Sequence, residues 1–403
     1  MIKTKIVTND LEEAAALLRQ GKLVAVPTET VYGLAGNGLD EQAVEAIYEV
    51  KGRPQVKPLS LMVPDESAME RYCEAVPEQA RFLAERFWPG PLTIVLKAKP
   101  LVPTIVRAGG ETVGLRCPDH PMTLALLRMA EIPFAAPSAN PSGEPSPKTA
   151  QQVQRYFDGK IAAIVDGGAC GIGTESTLLD MSRTPYRILR QGALAADVIG
   201  DALAEHLTLV GITGGSGSGK TTALRELEKR GALVIDCDTV YHTLLEESEA
   251  LIEELDESFP GTVENGKLQR RKLGAVVFEN PEALRRLNEI THRHITRRVR
   301  QLLRAHAMNG GTLAAIDAVE LIGSGLGEKC AFTLGILADR ETRIRRIVAR
   351  DGLTPEYAAA RIDAQRPDSY FREHCTVCLE NNGEEQTFQN QINQILEERL
   401  NHG

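Results

Sequence analysis

The chain has 403 residues, 42% of them hydrophobic and 25% charged, with a net charge of -9. That length exceeds one ordinary core and predicts two domains of roughly 200 residues, while the balanced composition excludes a disordered chain and a global electrostatic grip on nucleic acid. No apolar run approaches the ~18 residues that cross a bilayer, residues 1–10 lack a signal-type apolar stretch, and seven scattered cysteines fit a reducing compartment, so a cytoplasmic protein without a membrane partner is expected.

In chain order, Asp10 and Glu13 form a capping box that opens a helix, and Gly21 ends it. Leu23 to Pro27 reads as a buried strand, and short strands and amphipathic helices follow to about residue 200. Trp88-Pro-Gly-Pro91 and Pro137 to Pro147 read as rigid loops. Near residue 205 the pattern changes to apolar strands alternating with helices, the mark of a parallel sheet. Five strands are expected there: Thr208 to Thr213, Leu233 to Asp236, Leu313 to Asp317, Phe332 to Ala338 and Thr376 to Leu379. The expected domains are therefore 1–205 and 206–403. Cys375 and Cys378 read as buried strand cysteines, because a metal site needs more partners than this pair supplies.

The string Gly214, Gly215, Ser216, Gly217, Ser218, Gly219, Lys220, Thr221 matches G-x-x-x-x-G-K-[ST]. Glycines let successive N–H groups face phosphate oxygens, Lys220 brings a point charge to the β- and γ-phosphates, and the Thr221 hydroxyl reaches a magnesium ion. A strand precedes the loop and a helix begins at Thr222, so the helix dipole adds to the anion site. Ligands of open parallel sheets collect at the carboxyl ends of the strands. Those ends carry Asp236, Asp238, Asp317, Glu380 and the amides Asn381 and Asn382. Taken as a set, they suit magnesium binding through water and acceptance of a proton from an attacking hydroxyl. Arg340, Arg343, Arg345, Arg346 and Arg350 follow the fourth strand, where small-molecule kinases place a lid. A second cationic run, from Arg285 to Arg304, reads mainly as a solvated helix face that also suits an anionic substrate.

The rear half resembles dephospho-CoA kinase. The matching pieces are Gly211 to Thr221, Val234 to Asp238, Gly266 to Arg271, Val277-Phe278, His292, Arg350 to Thr354, Arg361 to Gln365 and Asn381 to Gly383. The resemblance implies a P-loop NTPase domain with a five-stranded parallel sheet that transfers phosphate from ATP to the 3′-hydroxyl of dephospho-CoA. It implies Asp238 as catalytic base beside Lys220, lid residues Arg346 and Arg350, and Asn381 near adenine; the loop motif and the strand-end acids make Thr221 with Asp317 the expected Mg2+ contacts (Asp236 being the alternative contact). The sequence departs from the family at Asp317-Ala-Val-Glu-Leu-Ile322, where Pro-Leu-Leu is usual, and at Arg293, where proline is usual. An ATP-sensing module, or a kinase for a different small hydroxyl acceptor, is the alternative reading of this half.

Before residue 205 no phosphate loop or nucleophile triad appears. Arg116 and Arg190 end apolar segments, and Lys51, Arg53 and Lys57 cluster around Pro54. A buried cation without a partner costs several kcal/mol, so internal carboxylates or a bound polyanion are implied. The ordered blocks Pro27 to Leu34, Lys51 to Pro54, Trp88 to Thr93, Arg116 to Pro121, Ala136 to Gly143, Asp166 to Gly168, Glu175 to Thr177 and Arg190 to Gly192 resemble threonylcarbamoyl-AMP synthase of the YrdC type. The resemblance implies a twisted mixed-sheet α/β domain that joins L-threonine, bicarbonate and ATP into threonylcarbamoyl-AMP and pyrophosphate, serving tRNA modification. It implies ATP contacts at Lys51, Arg53, Lys57, Ser138, Asn140 and Arg190, and threonine contacts at Thr28, Arg116 and Ser176. tRNA or tRNA-modification proteins are the expected macromolecular partners.

Overall fold

The computed structural model describes residues 3–278, 280–318, 321–323 and 325–400. The chain forms two compact units, Met1–Leu203 with Met308–Gly310, and Ala204–Ala307 with Gly311–Gly403.

In the first unit β1 (Lys5–Val7) leads into the helix Leu11–Arg19, whose Asp10 side chain accepts from the Glu13 N–H at 3.2 Å. Ala14, Ala15 and Leu18 lie on one helical face and are fully buried in the cluster that also contains Leu126, Leu127 and Ala130. Each such leucine contributes about 1.5–3 kcal/mol. The remaining strands are β2 (Val24–Val26), β3 (Gly33–Asn37), β4 (Ser60–Met62), β5 (Leu92–Lys97), β6 (Thr112–Arg116), β7 (Phe134–Ala135), β8 (Ala163–Val165), β9 (Thr177–Asp180) and β10 (Arg187–Arg190). They pair in the order β1-β8-β2-β3-β7-β4-β6-β5-β9-β10. β1–β8, β8–β2, β4–β6 and β5–β9 are parallel and the other pairs antiparallel. β2 is buried along its length and β5 along all but Lys97, which is why they read as mainly apolar runs rather than alternating ones.

The second unit contains β11 (Thr208–Thr213), β12 (Leu233–Asp236), a small hairpin of β13 (Val263–Glu264) and β14 (Lys267–Leu268), β15 (Leu313–Asp317), β16 (Phe332–Leu337) and β17 (Val377–Glu380). The main sheet is all-parallel in the order β12-β15-β11-β16-β17. β11 therefore lies mid-sheet, and the chain leaves its carboxyl end at the position from which the order runs both ways. Register sets Asp236 opposite Asp317 on β12 and β15. Helices Lys220–Lys229 and Glu385–Leu400 bury Ala223, Leu227, Phe388, Ile392 and Leu396 in one cluster with the sheet. Cys378 lies in β17, but Cys375 stands at the end of the helix Asp368–His374, and both are only half-buried. The helix stops where β17 begins, so the two cysteines do not share one strand.

Candidate active sites

In the first unit one cavity is lined by Arg53, Arg116 and Arg190 together with Ser60, Thr93, Ser138, Glu175 and Ser176. β6 ends at Arg116, which is 6% exposed. Its Nη2 donates to Glu29 Oε1 at 2.8 Å and Thr30 Oγ1 at 2.7 Å, and its Nε donates to Gly90 O at 3.2 Å. Glu29 Oε2 also accepts from the Asp119 N–H at 3.1 Å. The guanidinium is thus fixed by an ion pair with Glu29 at the cavity wall. Arg190 donates through Nε and Nη2 to the Ser176 carbonyl at 3.2 and 2.8 Å, and through Nη2 to Ser176 Oγ at 3.2 Å. Ser176 Oγ in turn lies 2.7 Å from Thr93 Oγ1. Arg53 donates to Lys57 O at 3.3 Å and Pro58 O at 2.9 Å, folding the loop after the helix Glu41–Lys51.

Lost solvation holds Arg53 and Arg190 below the usual guanidinium range, and each is pushed further down by a neighbouring arginine, Arg190 and Arg116 respectively. Cations gathered this way repel one another, and an anionic ligand relieves that repulsion. Lys51, 3% exposed, ends its helix with Nζ donating to the carbonyl oxygens of Ser138 and Asn140. Burial, then Arg53, brings its amine down to about 7. Lys51 and Asn140 do not line the cavity; they brace the loop that presents Ser138 to it. Asn140 Nδ2 donates to Pro141 O and Glu144 O, while its Oδ1 is buried without a hydrogen-bond partner. The Thr28 hydroxyl is used by its own turn, donating to Val31 O at 2.6 Å, and Lys57 is exposed outside the cavity lining.

In the second unit Gly214 to Thr221 leaves the carboxyl end of β11 and enters the helix Lys220–Lys229. Gly219, at φ +103°, is held against Asn381: a Cβ there would lie 2.1 Å from Asn381 Nδ2, so only glycine fits. Asn381 Nδ2 donates to Ser218 O at 2.8 Å. Arg346 donates to Gly217 O and Ser218 O, both at 3.3 Å, and to Asn381 Oδ1 at 3.2 Å. Arg350 instead makes a two-point pair with Asp351 at 2.6 and 2.9 Å and does not join them. Lys220 Nζ donates to Gly214 O at 3.2 Å and stands 3.9 Å from Asp317 Oδ1. Thr221 is exposed at the helix start, and the Thr222 N–H donates to Gly219 O at 3.1 Å. Ser218 Oγ is buried without a partner.

Asp236 caps the helix Cys237–Glu247, accepting from the Asp238 and Thr239 N–H groups at 2.9 and 3.2 Å. Asp317 is pushed up to about 6 by burial, against the pull of Lys220 and with the added repulsion of Asp236 and Asp238. Among the described residues no group of three or more acidic, histidine or cysteine side chains is arranged to hold a metal ion. Asp238 lines a second cavity with Tyr241, Asn288, Thr291, His292 and Ile295. Its apolar walls with a few polar groups suit a partly apolar acceptor. Of the departure from family pattern noted above, Val319 and Glu320 lie outside the described residues.

Sequence reasoning did not single out Glu29, Thr93, Glu175 or Gln365 as site residues, and it placed Arg343 in the lid without a contact. Glu29 was legible as the acid inside Pro27-Thr-Glu-Thr30, and Thr93, Glu175 and Gln365 stand at the ends of matched blocks, but their partners are distant in sequence and gave them no readable role.

Residues 16–192 match the family model described as telomere recombination (Sua5, yciO and yrdC), and residues 208–387 match that of dephospho-CoA kinase. A threonylcarbamoyl-AMP synthase of Pyrococcus abyssi is 46% identical over 51% of this chain and 60% of its own length. One of Halorhodospira halophila is 34% identical over 42% of this chain and 89% of its own. The crystal structure of P. abyssi Sua5 complexed with L-threonine aligns at TM-score 0.48 and 30% identity over 86% of this chain and 97% of that one. The chain thus spans about 60% of the length of the Pyrococcus relative.

Proposed function

The chain belongs to the threonylcarbamoyl-AMP synthase family and carries a dephospho-CoA kinase domain over residues 208–387, and from that premise we propose a bifunctional, ATP-using enzyme. The first unit joins L-threonine, bicarbonate and ATP into threonylcarbamoyl-AMP for tRNA modification. The second phosphorylates the 3′-hydroxyl of dephospho-CoA.

The observation that carries the first assignment is the convergence of Arg53, Arg116 and Arg190 on one cavity. The carboxylate of carboxylated threonine attacks the α-phosphate of ATP, a P–O bond forms, and the bond to the β-phosphate breaks as pyrophosphate leaves. Two anions must meet, and fixed guanidinium groups offset their repulsion. Arg116 and Ser176 hold threonine. Arg53, Ser138 and Arg190 hold the triphosphate, with Lys51 and Asn140 bracing the Ser138 loop.

For the second unit, the phosphate loop with Lys220 at its helix start supports nucleotide binding. Asp238, exposed at the acceptor cavity, takes the proton of the attacking hydroxyl as the γ-phosphate is transferred. Asp317 and Thr221 would hold Mg2+, which when bound would neutralise charge on the β- and γ-phosphates. Lys220→Ala tests the pair of assignments. Dephospho-CoA-dependent ADP formation should vanish while threonine-dependent pyrophosphate release survives; loss of both would refute two separate sites.

A further inference from the structure

All three polar groups of Ser216 in the phosphate loop are occupied by two side chains from the helices that follow β16. The Ser216 N–H donates to Gln365 Oε1 at 2.9 Å, and Gln365 Nε2 donates to Ser216 Oγ at 2.8 Å. The Ser216 carbonyl accepts from Arg343 Nε at 2.9 Å, and Arg343 Nη2 closes the ring on Gln365 Oε1 at 2.8 Å. Two donors meet one amide atom, which fixes that atom as the oxygen and the amide in a single orientation.

Arg343 is 6% exposed and its Nη1 lies 3.7 Å from Asp368 Oδ1. A Cβ at Gly215 would stand 2.1 Å from Arg343 Nη2, so the loop is shaped to receive this guanidinium. The ring connects the helix Arg340–Asp351, the segment after the helix Pro355–Asp363, the helix Asp368–His374 and the crest of the phosphate loop. Gln365 is held at its own N–H by Ile362 O at 3.0 Å, which anchors it to the helix it follows.

We propose that Gln365 is a positioning residue for nucleotide binding: held by Arg343, it grips Ser216 at both N–H and hydroxyl and keeps the phosphate loop in its anion-binding shape. A loop so fixed loses less conformational freedom when phosphate arrives, and the saving appears as affinity. The inference rests on the reading of this unit as an ATP-using domain. It adds a residue that does not touch the phosphate and acts through Ser216.

The test uses the full chain. Mg2+·ATP binding is measured by calorimetry, and the KM for ATP and kcat by dephospho-CoA-dependent ADP formation. Lys220→Ala identifies the share of ATP binding that belongs to the phosphate loop; if it removes none, the ATP-using reading falls and the proposal with it. Gln365→Ala loses both bonds to Ser216 and should weaken that share about tenfold, raising KM for ATP with kcat within about threefold. A purely structural role would lower the melting temperature of Gln365→Ala while the folded protein bound ATP as the parent does. That result would overturn the proposal.

Discussion

Replacing Asp317 by asparagine should stabilise the second unit while abolishing its catalysis. Burial first, then the neighbouring Asp236 and Asp238, raise this carboxyl from 3.8 to about 6 despite Lys220 at 3.9 Å. In the folded chain Asp317 keeps its proton up to about pH 6, whereas the unfolded chain releases it near 3.8. The native state therefore binds more protons inside that window, and stability falls as pH rises through it, with the whole penalty present above. At about 1.36 kcal/mol per pH unit the cost at neutral pH is about 3 kcal/mol. A neutral amide carries none of it, so Asp317→Asn should gain up to ~3 kcal/mol at pH 7.5, roughly 6–12 °C for a unit of this size. Near pH 4 the gain should shrink towards zero. The assay is thermal unfolding by far-UV circular dichroism at both pH values. Trp88, the single tryptophan, lies in the first unit, so its fluorescence reports that unit as an internal control. No gain at pH 7.5, or an equal gain at pH 4, would refute the electrostatic reasoning.

Two further outcomes separate residues that the sequence grouped together. Arg116→Lys keeps the charge but not the fork that reaches Glu29, Thr30 and Gly90; threonine-dependent pyrophosphate release should fall about 10- to 100-fold in kcat/KM for threonine, and dephospho-CoA-dependent ADP formation should be unaffected. Arg346→Ala removes the bonds to Gly217, Ser218 and Asn381 and should raise the kinase KM for ATP about tenfold, whereas Arg350→Ala, which frees only Asp351, should change it less than about threefold. Steady-state ADP kinetics with varied ATP distinguish the two arginines.

Local patterns carried the elements well. The Asp10 cap lies where the capping box placed it, and β11, β12 and β15 occupy the expected residues. The phosphate loop was readable because its function needs consecutive glycines and a lysine, a demand met within eight residues. The acids at strand ends were readable too, since the carboxyl edge of a parallel sheet follows from element order.

What buried each cation against which partner was not readable. The sequence left Arg116, Arg190 and the Lys51 cluster open between internal carboxylates and a bound polyanion. The fold answers differently for each: Arg116 meets Glu29, Arg190 meets the Ser176 carbonyl, and Lys51 meets the carbonyls of Ser138 and Asn140. Likewise Gln365 reaches Ser216 across 149 positions of chain, and Arg343 across 127. Helix caps, glycine turns and apolar periods are properties of a few neighbouring residues, so the sequence by itself determined them. The choice among distant polar partners depends on sheet register and on which faces pack, because a hydrogen bond acts only over about 3 Å; that was decided by the tertiary structure alone.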